Sequence, residues 1–220
     1  WYGVPNSTDE SVYASLPGFA ESGVEETFVM EAVKGKAPKK VRPYRLDYRP
    51  LIDRDLTDRA IRFMRRQAKA DKPFFIYLPF QAPHSPFQDP DVPMDPPQPK
   101  NRPTLIKMIE RLDLEIGRVL KALEEQKIAD NTLVILTSDN GGAQVIGRNL
   151  PLKGAKQMLE EGGIRVPLIL RWPGVLPEGR VFSTPVSAMD LTATVAAAGG
   201  AKARPGKPFD GVDLVPALTG

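Results

Sequence analysis

Residues 132–142 read TLVILTSDNGG, and this stretch decides the fold class. Its first six residues are β-branched or aliphatic, a composition typical of a strand buried on both faces of a parallel sheet. The run then ends in Ser138, Asp139 and Asn140, followed by two glycines. Polar residues directly after a buried strand lie at the carboxyl end of a sheet, where open α/β folds hold their ligands. The stretch therefore predicts an α/β fold with a site near Asp139 and Asn140.

The segments around this strand alternate between helical and extended patterns. Apolar residues at helical spacing predict helices over 57–70 and from Thr104 to Leu123. Continuous apolar runs predict further strands at 74–78 and 166–172, and Asp190 is interpreted as the N-cap of a helix over 192–198. This order favours a mainly parallel, doubly wound sheet with flanking helices.

The bulk composition is that of an ordinary globular protein. The chain has 220 residues, 41% hydrophobic and 26% charged, which is enough to bury a real core. A net charge of +3 on 30 basic and 27 acidic residues gives no case for a nucleic-acid partner. The absence of cysteine excludes disulfides and thiolate metal sites from this sequence. No run approaches the roughly 20 apolar residues of a membrane span, so none is predicted.

Two segments have a biased composition. Basic residues cluster between Lys34 and Arg49, which indicates either a solvated hairpin or a rim that attracts anionic substrates. Prolines cluster between Pro79 and Pro103, which predicts an ordered surface loop because proline removes a backbone donor. Structured loops of this kind are frequent positions for functional sites.

The single histidine, His84, lies in this proline-rich segment just past the predicted strand at 74–78. A lone histidine is most often structural or simply exposed. Its place at the exit of a strand favours a functional role, since imidazole is the side chain best suited to move protons near neutral pH.

Other polar residues have both an ordinary and a functional interpretation. Asp139 and Asn140 offer two hard oxygen ligands suited to calcium or magnesium, although an Asn-Gly turn would look the same. Lys153 and Lys156 are followed by the glycine pair Gly162 and Gly163. By composition this is a solvated loop, but a lysine directed into a cleft would bind an anionic group.

Four motifs occur together in one order. They are KPFFIYL followed by APH at 72–84, TLVILTSDNGG at 132–142, PLKGAK with EGGIRVP at 151–167, and FDGVDLVPALTG at 209–220. In this order the chain resembles, over nearly its whole length, the type I sulfatases of the arylsulfatase A and B group. The resemblance implies the alkaline-phosphatase-like sulfatase fold and the hydrolysis of sulfate esters.

The resemblance also implies roles for individual residues. Asp139 and Asn140 would ligate calcium, or another divalent cation. His84 would contact the sulfate ester and protonate its leaving oxygen, and Lys156, rather than Lys153, would hold a sulfate oxygen. Residues 3–7, which read GVPNS, are similar to a pocket motif of the family, and this similarity makes Ser7 a substrate-binding candidate.

One catalytic element of the family is absent from the sequence. The nucleophile is a formylglycine made in a Cys/Ser-x-Pro-x-Arg motif, and no such motif occurs in residues 1–220. We therefore expect 1–220 to be part of a sulfatase catalytic domain, without its nucleophile segment and C-terminal subdomain, and inactive alone. An incomplete sheet would expose apolar surface and an edge through which the chain could oligomerise.

Two alternatives remain at the level of sequence. One is a phosphatase or phosphodiesterase of the same superfamily, although a single histidine cannot supply a paired-zinc site. The other is a non-catalytic binding module that kept the fold. The family suggests a small-molecule or glycan sulfate ester as substrate and a periplasmic, extracellular or lysosome-like location.

Overall fold

The computed structural model describes residues 1–5, 8–70, 72–92 and 101–220, which form an α/β structure with two small sheets. The strands are β1 (Tyr2–Gly3), β2 (Phe28–Glu31), β3 (Lys39–Pro43), β4 (Val134–Thr137) and β5 (Leu168–Arg171). The helices are α1 (Ile52–Gln67), α2 (Arg102–Glu125), α3 (Glu161–Ile164), α4 (Ala188–Ala198) and α5 (Val215–Thr219). Within the same described ranges, 3-10 turns lie at Thr8–Ser15, Arg49–Leu51 and Ala129–Asn131.

Helices α1 and α2 pack against each other and form the support for β4. Their contact buries Ile61, Met64 and Leu123, and the apolar residues Phe74 and Val134 pack against the same cluster. Each fully buried aliphatic side chain of this kind contributes about 1.5–3 kcal/mol. The helix pair therefore fixes β4, and with it the start of the loop that follows β4.

A second cluster packs the sheet of β1, β2 and β3 against the amino-terminal half of α1. It contains Val29 from β2, Tyr44 and Tyr48 from the segment after β3, and Ile52 from α1. Strands β2 and β3 form an antiparallel hairpin, and β1 pairs with β2 on its other side. The basic residues of this hairpin are largely paired: Lys39 lies 2.8 Å from Glu31, for example. A hairpin is therefore present up to Pro43, but the later part of the basic segment is not solvated, because Tyr44, Tyr48 and Arg49 are buried.

The α/β class and the two long helices predicted from sequence are confirmed, but the strand pairing differs. Among the strands described, β4 and β5 pair antiparallel, with Val134 opposite Arg171 and Thr137 opposite Leu168. The predicted mainly parallel pairing is not present in the described part of the chain. Apolar runs report how deeply a strand is buried, and they do not report the direction of its neighbour.

Two local predictions were wrong. Residues 74–78 are extended but join no described sheet, and the side chains of Phe75 and Tyr77 are 66% and 78% exposed. One side of this segment packs on the helices and the other side is uncovered. The N-cap of α4 is Ser187, and Asp190 completes a capping box from the third helical position by accepting from the Ser187 N–H at 2.7 Å.

The described helices include none that is both long enough and apolar enough to cross a membrane. Apolar residues are nevertheless exposed at the second sheet, where Leu136 is 40% and Ile169 is 57% exposed. The expected exposure of apolar surface at an incomplete sheet is therefore present.

Asp55 joins β1 to α1 through two phenol groups. The hydroxyl of Tyr2 donates to Asp55 Oδ2 at 2.5 Å, and the hydroxyl of Tyr48 donates to the same oxygen at 2.6 Å. The Arg59 guanidinium stacks 3.4 Å from the centre of the Tyr2 ring. Burial alone would raise the pKa of Asp55, but these donors and Arg59 hold it below its ordinary value.

We predict that Asp55→Asn destabilises the fold by about 1–3 kcal/mol at neutral pH, because the shared acceptor of two hydrogen bonds loses its charge. The stabilisation from a depressed pKa is present above the unfolded-state pKa and is lost as pH falls below about 4. Urea unfolding between pH 3 and 7 should therefore show a smaller acid-induced loss of stability in Asp55→Asn. Asp113→Asn, at an exposed position of α2, is the control. If the free energy of unfolding fell equally between pH 7 and pH 3 in the unmodified chain and in Asp55→Asn, this assignment would be contradicted.

Candidate active site

The loop after β4 presents two oxygen-bearing side chains to the surface. Thr137 Oγ1 donates to the Pro167 carbonyl at 3.1 Å, which ties the ends of β4 and β5 together. Asn140 uses its amide nitrogen locally, donating to the Gly141 carbonyl at 2.9 Å, so its Oδ1 remains available as a ligand. The exposed Asp139 carboxylate forms no ion pair with the described residues. A carboxylate and an amide oxygen side by side suit a hard cation.

Glycine allows this loop to contact the segment that contains α3. The Gly141 N–H donates to the Gly163 carbonyl at 2.9 Å. A Cβ at residue 141 would lie only 1.9 Å from the Gly162 oxygen, and a Cβ at residue 162 would lie 2.1 Å from the Gly154 oxygen. Both neighbours are backbone atoms, so a side chain at either position requires the loops to separate. Three loops are thus in backbone-to-backbone contact through their glycines.

Lys156 is attached to the same loop by its backbone. Its N–H donates to the Gly142 carbonyl at 3.0 Å. Asn149 clamps the two segments: its Oδ1 accepts from the Gly142 N–H at 2.9 Å, and its Nδ2 donates to the carbonyls of Gly142 and Gly154, each at 3.2 Å. The structure therefore places Lys156 on a loop bonded directly to the one that carries Asp139 and Asn140.

The two lysines of this segment have different surroundings. Lys153 is mostly exposed and forms an ion pair with Glu160 at 2.6 Å. Lys156 is half-buried and forms no ion pair with a described residue. Its ammonium is therefore the one left available for an anionic ligand.

The loop that carries His84 is held by two buried polar residues, one in the first turn of α1 and one in the 3-10 turn before it. Asp53 accepts hydrogen bonds from the N–H groups of Gln81 and Ala82, at 2.7 and 2.9 Å. The guanidinium of Arg49 donates through Nη2 to the His84 carbonyl. Burial raises the pKa of Asp53, although its two amide donors and Arg49 oppose the shift, and burial lowers the pKa of Arg49.

The contacts of the His84 ring fix which nitrogen handles a proton. Its Nδ1 lies 2.9 Å from the Ser85 carbonyl, which can only accept, so Nδ1 carries hydrogen in this geometry. Nε2 is then the nitrogen that can gain or lose a proton. Asp9 Oδ1 lies 3.8 Å from Nδ1 and accepts from the Ser85 hydroxyl at 2.8 Å, so it can pair with a protonated ring.

The predicted site residues thus fall into two supported groups. Backbone contacts bring the loop of Asp139 and Asn140 together with that of Lys156. The contacts of His84 run instead to Arg49, in the 3-10 turn before α1, and to Asp9. Ser7 lies outside the described residues. Within the described ranges, no three His, Cys, Asp or Glu residues cluster as a metal site. Asp139 and Asn140 therefore fit a hard cation only as part of a larger ligand set, because calcium takes six to eight oxygens.

Sequence reasoning did not identify Asp53, Arg49 or Asn149 as supporting residues. Acidic residues in the first turn of a helix ordinarily interact with the helix dipole, so Asp53 carries no special signal. Arg49 lies in a basic cluster that was interpreted as a solvated hairpin or an anion-attracting rim. Proline at position 50 fits the first turn of a short helix and is a local signal that could have indicated an ordered turn there.

Comparison with known proteins places these features in a family. The family model described as sulfatase matches residues 17–201. The chain is 36% identical over 166 residues to N-acetylgalactosamine-6-sulfatase of Canis lupus familiaris, covering 73% of this chain and 31% of that protein. It is 37% identical over 179 residues to steryl-sulfatase of Mus musculus, covering 77% of this chain and 28% of that protein.

Solved structures give a consistent result. The crystal structure of Ps i-CgsB in complex with k-i-k-neocarrahexaose matches with a TM-score of 0.73 and 34% identity, covering 98% of this chain and 47% of that one. The PsFucS1 sulfatase from Pseudoalteromonas sp. matches with a TM-score of 0.81 at 23% identity, which supports the fold alone. The match covers 100% of this chain and 47% of that one. The chain thus spans about half the length of these structures and about 30% of the two curated relatives.

We predict that Gly141→Ala destabilises the chain by about 1–3 kcal/mol, because overpacking against a backbone carbonyl forces the two loops apart. The control is Gly117→Ala in α2, where a Cβ meets open space and helix propensity improves by up to about 1 kcal/mol. Thermal unfolding of both variants measures the difference. A Gly141→Ala variant as stable as Gly117→Ala would show that the close approach is not a real constraint.

We predict that Asp53→Asn loosens the His84 loop. The two carboxylate oxygens of Asp53 each accept from one backbone N–H, whereas asparagine has a single side-chain oxygen. One of the two N–H groups therefore loses its partner, at a cost of about 1–3 kcal/mol. Hydrogen exchange at the amides of Gln81 and Ala82 should accelerate, while Asp113→Asn should leave it unchanged. Unaltered exchange in Asp53→Asn would exclude Asp53 as the anchor of this loop.

Proposed function

This chain belongs to the sulfatase family, and we propose that it forms part of the catalytic domain of an enzyme that hydrolyses a sulfate ester. The observation that carries the proposal is the glycine-mediated contact between the loop of Asp139 and Asn140 and the loop of Lys156. This contact holds together the loop with the side-chain oxygens of Asp139 and Asn140 and the loop with the unpaired ammonium of Lys156. A metal-plus-anion site needs that combination.

We propose that Lys156 binds a sulfuryl oxygen of the substrate. A sulfate monoester is an anion, and a half-buried ammonium stabilises it more strongly than one exposed to water. The neighbouring Lys153 is already neutralised by Glu160. Lys156 is therefore the better candidate to hold the group as its charge redistributes during cleavage.

We propose that His84 acts on the leaving oxygen. That oxygen gains negative charge as the S–O bond breaks, so a proton donor within hydrogen-bond reach lowers the barrier. With Nδ1–H donated to the Ser85 carbonyl, a protonated ring donates its second hydrogen from Nε2. The Asp9 carboxylate, 3.8 Å from the ring, would stabilise the protonated form before transfer.

We propose calcium, with another divalent cation as the alternative, as the metal held in part by Asp139 and Asn140. When bound, it would offset negative charge on the sulfuryl oxygens. The family's formylglycine nucleophile would come from outside residues 1–220, since this sequence has no cysteine and no Ser-x-Pro-x-Arg motif. Residues 1–220 alone are then expected to be inactive.

The substrate proposed is a sulfate ester of a small molecule or a glycan. The relatives named above are sulfatases, so the phosphatase and the non-catalytic module gain no support from them. Ser7 remains a predicted pocket residue on the basis of the sequence resemblance alone.

We predict that Lys156→Ala in the full-length protein lowers kcat/KM for an aryl sulfate at least about 100-fold, the typical effect of removing a group that stabilises transition-state charge. Lys153→Ala, three residues away, should change it by less than about threefold, because an exposed ion pair contributes little. Steady-state hydrolysis of 4-nitrophenyl sulfate measures both. The reverse ranking of the two variants would contradict the assignment of Lys156.

A further inference from the structure

A cavity of about 240 Å³ lies between the start of α1, the 82–91 segment and α2. It is on the α1 side of the His84 loop, since Ala82 and the residues that anchor that loop are among those lining it. Its polar lining consists of Arg49, Asp53, Arg54, Gln88, Asp91 and Arg111. The volume exceeds what one water needs and falls below that of a drug-sized pocket, which sets the scale of a small ion with a few waters.

Two of the lining arginines have unused hydrogen-bonding capacity. Arg49 is only 4% exposed, and its buried Nε–H has no hydrogen-bond partner in the described part of the chain. Arg54 is exposed and forms no ion pair with a described residue. Burying a guanidinium without a compensating charge is costly, so an anion in the cavity beside Arg49 would be bound favourably.

The acidic residues of the lining already have partners. Asp53 accepts from the N–H groups of Gln81 and Ala82, and Asp91 is hydrogen-bonded to the guanidinium of Arg111. With three arginines against two aspartates, the lining keeps one formal positive charge. Arg111 is the arginine paired with Asp91, so Arg49 and Arg54 are the lining arginines without a salt bridge to a described residue. Their planar guanidinium groups match the geometry of oxyanions.

We propose that this cavity binds a small free tetrahedral oxyanion, such as inorganic sulfate or phosphate, between Arg49 and Arg54. The site is separate from the one that contains Asp139, Asn140 and Lys156, and it does not rest on the proposed function. Its ligand is coupled to the His84 loop, because Arg49 also donates to the His84 carbonyl. Binding therefore reduces the opening of this loop.

Equilibrium dialysis of the full-length protein with radiolabelled inorganic sulfate, at constant ionic strength in chloride, tests the proposal. The cavity site predicts one bound sulfate in the unmodified protein, and the proposed function adds a second at Lys156. Arg54→Gln should raise the Kd of the cavity sulfate at least about tenfold. Arg65→Gln, on the same helix but outside the cavity lining, should change the Kd less than about twofold.

The variants separate this inference from the proposed function. If Lys156→Ala loses one sulfate and Arg54→Gln loses the other, both proposals stand. If the unmodified protein binds one sulfate, lost in Arg54→Gln and kept in Lys156→Ala, the cavity site stands alone. Sulfate binding that is unchanged in Arg54→Gln overturns the cavity site.

Hydrogen exchange provides a second readout. Sulfate should slow exchange at the Gln81 and Ala82 amides in the unmodified protein and in Lys156→Ala, but not in Arg54→Gln. Circular dichroism verifies that Arg54→Gln is folded, which is expected for an exposed position. Equal slowing in Arg54→Gln would also overturn the proposal, and displacement of the sulfate by phosphate would extend it to that anion.

Discussion

Backbone contact between glycines is the constraint on which the candidate site depends. Gly141 approaches the Gly162 carbonyl so closely that a Cβ would overlap it, and Gly162 approaches Gly154 in the same way. These contacts set the relative position of the loops that carry Asp139 and Lys156. Because the backbone fixes the loops, the side chains of both residues remain available for a ligand. Preorganisation of this kind is what electrostatic catalysis requires.

The second support is polar and buried. Asp53, in the first turn of α1, and Arg49, in the 3-10 turn before it, hold the His84 loop through its backbone rather than through its ring. Burying charged groups opposes folding, and replacement by apolar residues is often neutral or stabilising for a protein. Their place here is explained by positioning, since the loop needs a carboxylate for two N–H groups and a donor for one carbonyl. The same arginine lines the cavity behind the loop.

Sequence patterns predicted much of the local structure and little of its pairing. The apolar run and glycines of 132–142 gave β4 and the loop that follows it, and helical periodicity gave α1 and α2. The antiparallel β4–β5 pair and the uncovered side of 74–78 were not predicted, because an apolar run reports burial in a complete sheet and does not identify its neighbours. Asp53 was missed for a related reason. Its partners, Gln81 and Ala82, lie 28 and 29 positions later in the chain, and a local sequence pattern does not show such contacts.

We propose that the two separately supported groups, the glycine-linked loops and the His84 loop, together form one site for a metal and a sulfate group. A crystal structure of the full-length protein grown with calcium and a sulfate ester tests it most directly. The account predicts a cation bound by Asp139 and Asn140, with sulfuryl oxygens within about 3.2 Å of Lys156 Nζ and the leaving oxygen near His84 Nε2. A sulfate group bound without contact to Lys156 and His84, or a cation held elsewhere, would contradict it.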